Sequence, residues 1–213
     1  MSRRLRAEAC LMRRIVIACL LCFISCTASG QQVGDLSDAY SRLHQFCGYK
    51  LDRFVARRVA SANVEENEIS VTIRFHLHIN GQRRGVPATL DFGCRKQSFP
   101  DSTSDGFAAT PDSHKMTAKE VIASEDSGGR YFRIVSWQRK YHASGFGGTV
   151  AYVNKIFGDG EVMSTSGLFF ACPNTVGLTC YSVEVAPNFQ LTRAQQMDVL
   201  NIIKSIDSVS DSR

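Results

Sequence analysis

Ile69-Ser70-Val71-Thr72-Ile73-Arg74-Phe75-His76-Leu77-His78-Ile79 alternates apolar and polar residues without a break. A period of two puts Ile69, Val71, Ile73, Phe75, Leu77 and Ile79 on one face of a strand. Ser70, Thr72, Arg74, His76 and His78 fall on the other. Asn80-Gly81 follows as a turn pair, and Val86, Ala88, Leu90, Phe92 and Cys94 resume the alternation. Residues 69–94 therefore read as an antiparallel hairpin with one buried face.

Working outward, strand-like runs occur at 131–140, 149–157, 161–172 and 180–186, with Gly158-Asp159-Gly160 as a hairpin turn between the second and third. The total is about six strands. Upstream, Leu36, Tyr40, Leu43 and Cys47 are at helical spacing, and Gly48 stands where a helix would stop. Thr117 and Glu120 have capping-box spacing for a short helix. Thr192 and Gln195 repeat it before a helix over 192–206, with Ala194, Met197, Leu200, Ile203 and Ile206 on one face. Strands bounded by helices predict an α+β fold with a mainly antiparallel sheet, an N-terminal helix and a C-terminal helix. No repeat or linker divides residues 31–213, which read as one domain.

The net charge of +5 is not spread evenly. Residues 1–30 hold five of the 25 bases (Arg3, Arg4, Arg6, Arg13, Arg14) and one of the 20 acids, Glu8, which leaves 20 bases against 19 acids in the remainder. A nearly neutral remainder argues against nucleic-acid binding. Met12-Arg13-Arg14, an apolar run from Ile15 to Ile24, and the small residues Ser25, Thr27, Ala28, Ser29 and Gly30 follow the order of a secretory signal peptide. Met12 suits the start of that leader better than Met1. The run is about half of the roughly 20 residues a spanning helix needs, so no transmembrane span is expected. Two processing routes fit: cleavage near Gln31, or lipidation of Cys26, since Phe23-Ile24-Ser25-Cys26 resembles a bacterial lipobox. Both lead to the periplasm or cell envelope of a Gram-negative bacterium.

Outside the leader the cysteines are Cys47, Cys94, Cys172 and Cys180, an even set suited to an oxidising compartment. Cys172–Cys180 would close a short loop between two apolar strands, leaving Cys47–Cys94. There is no Cys-x-x-Cys, and no spacing matches a structural zinc site, so neither metal nor cofactor is expected.

Glu125-Asp126-Ser127-Gly128-Gly129, followed by Ile134-Val135-Ser136-Trp137, resembles the nucleophile segment of chymotrypsin-like proteases, where the serine lies between Gly-Asp and Gly-Gly. The resemblance implies Ser127 as nucleophile, with a base among His76, His78, His114 and His142. It departs at Glu125, where the family's glycine gives a backbone N–H to the oxyanion hole. Gly145-Phe146-Gly147-Gly148 lacks the Lys-Ser/Thr of a phosphate-binding loop. Arg53, Arg57, Arg58, Arg83 and Arg84 are balanced by Asp52, Glu65, Glu66 and Glu68 and read as a solvated mixed-charge face.

The polar segment 95–116 is a long loop carrying Arg95, Lys96, Phe99 and Phe107, and such loops on rigid scaffolds are common contact surfaces. The expectation is a non-catalytic envelope protein that binds a protein partner, with inhibition of a secreted toxin (an immunity protein) as a candidate role. An exported serine hydrolase using Ser127 and a structural envelope lipoprotein are the alternatives. Mass spectrometry of protein recovered from the envelope should show that at least residues 1–25 are gone, leaving an acylated Cys26 or a free terminus near Gln31. An uncleaved, stably folded chain would contradict the leader.

Overall fold

The computed structural model describes residues 35–79, 85–96, 116–187 and 189–209, and nine strands and four α-helices lie among them. In chain order they begin with α1 (Leu36–Arg42), β1 (Tyr49–Leu51), α2 (Arg53–Ala56), β2 (Val59–Glu66), β3 (Ser70–Ile79) and β4 (Val86–Arg95). They continue with α3 (Ala118–Asp126), β5 (Phe132–His142), β6 (Gly147–Gly158), β7 (Glu161–Pro173), β8 (Tyr181–Val185), α4 (Arg193–Lys204) and β9 (Ile206–Ser208). The leader 1–30, the turn Asn80-Gly81, Arg83, Arg84, and most of the 95–116 segment lie outside the described residues.

The architecture is α+β, with seven strands in one antiparallel sheet of order β2-β3-β4-β8-β7-β6-β5 and a separate β1–β9 pair. The strand count exceeds the expected six because β1, β2 and β9 carry almost no alternation. Ala62 is the one fully buried residue in β2, and β1 and β9 have three residues each.

In β3 and β4 every second side chain is buried: Val71, Ile73, Phe75, Leu77 and Ile79 beside Val86, Ala88, Leu90, Phe92 and Cys94. Each large apolar side chain contributes about 1.5–3 kcal/mol by leaving water. Ile69 does not join this row. It is 50% exposed, because the Asn67 carboxamide oxygen accepts the N–H groups of Ile69 and Ser70 and starts the strand one residue later.

Two helical layers cover opposite faces. α1 and α4 pack over β2–β4, burying Ala39, Leu43, Val199, Leu200, Ile202 and Ile203 against the first face. The buried side of α4 is rotated from the expected one, since Met197 is 41% exposed and Val199 and Ile202 are buried. The chain leaves α1 through a π-helical turn, Leu43–Cys47, which ends at Gly48 in the left-handed conformation. α3 packs on the second face, with Ala118 and Ile122 against Ala151, Val153 and Phe170. Its capping box, Thr117 with Glu120, is formed, and two further N-terminal donors reach the sheet. Ala118 N–H donates to Thr149 Oγ1 and Lys119 N–H to Gln138 Oε1, each at 2.8 Å.

Disulfides join Cys47 to Cys94 and Cys172 to Cys180. The first pins the end of the π-helical turn to β4, and the second links the ends of β7 and β8. By chain entropy the loops contribute about 4 and about 2.6 kcal/mol. Cys172→Ser is therefore expected to lose about 2–4 kcal/mol in urea unfolding, and Cys47→Ser at least as much. Thiol labelling of the oxidised, denatured protein should leave all four cysteines blank.

Candidate functional site

The residues nominated from the sequence scatter. Lys96 is tied to Glu66 by an ion pair, and its backbone N–H donates to the Ile69 carbonyl at 3.0 Å. Arg95 ends β4 opposite Ser70. Cys26, Phe99, Phe107 and His114 lie outside the described residues.

The protease-like string is the end of α3. Ser127 caps that helix, and its hydroxyl donates to the Ser124 carbonyl at 2.7 Å. The Asp126 carboxylate accepts the Arg133 backbone N–H at 2.6 Å and its Nε at 2.9 Å, while Glu125 accepts Arg133 Nη2 at 2.7 Å. Serine and acid are thus committed to local structure. The described histidines that could serve as base are elsewhere: His76 Nε2 lies 3.4 Å from Asn63 Nδ2 on the outward face of β3, and His142 ends β5. No group of three His, Cys, Asp or Glu among the described residues is placed to hold a metal ion. The Gly145–Gly148 string links β5 to β6, and Gly148 is needed there because a Cβ would strike the Cys172 carbonyl and the Tyr141 ring.

Two surfaces are left open by the diagonal arrangement of the helices. On the second face, beside α3, the floor of β3, β4, β8 and β7 forms a groove of about 660 Å³. Arg74, His76, Asp91 and Glu184 line it, with Leu168 and Ile156 as apolar walls. Arg74 donates to Glu65 at 2.6 Å and lies 3.3 Å from Asp91 Oδ1 without a hydrogen bond, so that buried oxygen has an ionic neighbour but no donor. Burial pushes the Asp91 carboxyl up to about 6, against the pull of Arg74 and with help from Glu184 and Glu65.

The second surface is on the first face, at the β5–β7 end. Arg133 points to α3, so its neighbours in β5, Phe132 and Ile134, point to the opposite face. The register sets Phe132 opposite Phe157 and Phe157 opposite Val162, an apolar row across three strands. All three are exposed, at 43%, 39% and 58%. The Phe132 and Phe157 ring centroids are 6.4 Å apart. Tyr131 packs across Gly158, where any Cβ would collide with its ring, and donates its hydroxyl to Asp159 at 2.7 Å. Asp159 and Gly160, both at positive φ, turn β6 into β7. Farther along, Trp137 stacks on Tyr152 at 5.4 Å, and Arg139 lies over the indole at 4.8 Å.

Charge sets this end apart. Residues 127–158 include Arg130, Arg133, Arg139, Lys140 and Lys155 and no acid. Arg130 pairs with Asp159, and Arg133 with Glu125 and Asp126. Arg139, Lys140 and Lys155 form no ion pair with a described residue. That gap between acids was visible in the sequence, but only the strand order reveals that it lies along an edge.

Asp91 supplies a pH test. Its folded pKa lies above the unfolded value, so the folded state holds the proton more tightly between about pH 4 and 6, and this group's unfavourable share grows as pH rises through that window. Asp91→Asn should therefore stabilise the protein above pH 6, on the order of 1 kcal/mol after allowing for partial exposure, and the gain should fade toward pH 4. Urea midpoints across pH 4–8 measure it. A loss of stability above pH 6 that fades on acidification would mean that the pairing with Arg74 outweighs burial.

No family model, no curated protein and no solved structure matches the chain.

Proposed function

We propose that this is a non-catalytic bacterial envelope protein, exported by its 1–30 leader, that binds a protein partner through the β5–β7 end. Neutralisation of a secreted toxin is one role of this kind. The observation that carries the reading is the exposed row Phe132–Phe157–Val162 beside Trp137 and Tyr131. Aromatic side chains on a rigid sheet, rimmed by charge, are the composition of a protein–protein contact rather than of a solvated face. The commitment of Ser127 and Asp126 to the end of α3 supports a binding role over hydrolysis. The 95–116 segment, with Phe99 and Phe107, is kept as a second contact.

A pull-down from envelope extract, including the product of any adjacent gene, tests the reading. The double variant Phe132→Ala/Phe157→Ala should weaken the captured complex at least tenfold, the scale of central aromatic contacts. Ser127→Ala should leave it unchanged. Esterase or peptidase turnover that disappears specifically in Ser127→Ala would restore the hydrolase.

A further inference from the structure

We propose that the free edge of β5 receives an acidic, extended segment of the partner as an eighth strand of the sheet. The inference rests on the partner-binding reading and supplies the chemistry of the partner.

β5 ends the strand order, so one side of its backbone has no neighbouring strand among the described residues. The strand has eleven residues. At roughly 3.3 Å per residue it presents an edge about 35 Å long. The Asp126 carboxylate occupies the Arg133 N–H, and the strand is irregular between Ile134 and Trp137, which leaves the regular stretch from Trp137 to His142 to pair. Alternate N–H and C=O groups along such an edge form a template for another strand.

The opposite edge is different. A helix packs on each edge strand, α1 on β2 and α3 on β5, but at β2 the carboxylates are matched: Arg42 and Lys96 pair with Glu66, and Arg74 pairs with Glu65. β5 offers the reverse sign: Gln138, Arg139, Lys140 and His142 are exposed, and neither Arg139 nor Lys140 pairs with a described acid.

Charge also selects among occupants. A second copy laying its own β5 here would bring Arg139 and Lys140 toward their counterparts or toward an edge without acids, and like charges opposed across strands are destabilising. An incoming strand with carboxylates opposite Arg139 and Lys140 relieves both cations. On the first face, an apolar residue opposite Trp137 would extend the Trp137–Tyr152–Phe169 aromatic cluster by one position. Arg139 lies over Trp137 on the first face and Lys140 points to the second, so the expected segment carries two consecutive carboxylates opposite them and an apolar residue opposite Trp137.

The chain's single tryptophan, Trp137, lies in the middle of this edge and reports on it directly. Three capped heptapeptides serve as probes for the full-length protein: a Glu/Val peptide with a central Glu-Glu pair, the Lys/Val peptide with lysine in place of each glutamate, and the Glu/Val peptide with two valines replaced by proline. The first should shift Trp137 emission and slow amide exchange in β5. The lysine peptide should not bind, and the proline peptide should bind at least tenfold more weakly because it cannot donate to a strand ladder. Arg139→Glu and Lys140→Glu should each weaken the acidic peptide at least tenfold, and the pair should reverse the preference toward lysine. Equal binding of the Glu/Val and Lys/Val peptides, equal binding of the proline peptide, protection on β2 instead of β5, or no binding of the Glu/Val peptide at millimolar concentration would each overturn the inference. A partner captured from the envelope that depends on Phe132 and Phe157 but ignores Arg139→Glu/Lys140→Glu would leave the partner-binding reading standing and remove this one.

Discussion

An aromatic seam beneath the sheet holds the other elements in place. Tyr40 of α1 stacks on Phe75 of β3, Phe75 meets Phe92 of β4 edge-on, and Phe92 stacks on Tyr181 of β8. Tyr49 of β1 touches Phe92, Tyr181 and Phe146, and Phe146 touches Tyr141 of β5. Five strands, one helix and the β5–β6 connection therefore share one set of ring contacts, each worth about 0.5–1.5 kcal/mol beyond its buried area. Four of these rings are tyrosines, and the hydroxyls of the three most buried, Tyr49, Tyr141 and Tyr181, are satisfied within the protein. Tyr49 donates to the Thr179 carbonyl, and Tyr181 donates to the Ile203 carbonyl at 3.2 Å and shares a hydroxyl–hydroxyl hydrogen bond with Tyr141 at 3.3 Å. Burial pushes all three phenols well above their ordinary range, so the seam stays neutral at any physiological pH. The Tyr181 bond also ties the last turn of α4 to the centre of the sheet.

With the centre fixed, the helices decide which surfaces stay bare. α1 and α4 cover the β2–β4 half of one face, and α3 covers the β5–β7 region of the other. Seven strands are too many for three short helices, so two diagonally opposed regions stay open. One is polar and concave, floored by Arg74, His76, Asp91 and Glu184. The other is the apolar row and basic edge at β5. The groove's cations are matched, Arg74 by Glu65 and Arg133 by Glu125 and Asp126, while one Asp91 oxygen has no donor among the described residues. Arg139 and Lys140 at the edge meet no described acid, and that difference makes the edge the stronger contact candidate.

The sequence was legible where a structural rule acts on every residue of an element. β3 and β4 announced themselves because one face is buried along its whole length, and α3 and α4 through their capping boxes. β2 stayed hidden because an edge strand half covered by α1 needs no clean alternation. β1 and β9 were unreadable for another reason: Tyr49 pairs with Ser208 across most of the chain, and no local signal encodes such a partner. The protease-like string misled because short polar motifs also suit helix ends. Asp126 and Ser127 have the right identities for catalysis, but equally for holding Arg133 and capping α3. The β5–β7 surface was overlooked because its residues look like an ordinary half-buried sheet. Only the insertion of β8 between β4 and β7 turns β5 into an outer strand.

An exposed, eleven-residue edge strand is a hazard for aggregation, and β5 carries the devices that manage it. Its pairing with β6 is irregular between Ile134 and Trp137, which bends and twists the strand where a flat template would otherwise run. Arg139 folds back over Trp137, covering the largest apolar side chain on the edge with a cation. These features oppose a neutral or basic strand, including a second copy of this one, through charge and curvature. They do not oppose an acidic strand to the same degree. Carboxylates gain from Arg139 and Lys140, and the indole is already held against Tyr152 and Phe169, so little side-chain entropy is lost on contact. The residues that keep the edge from pairing indiscriminately are thus the ones that give it a preference, which is how specificity arises when repulsion of wrong partners and attraction of the right one share the same side chains.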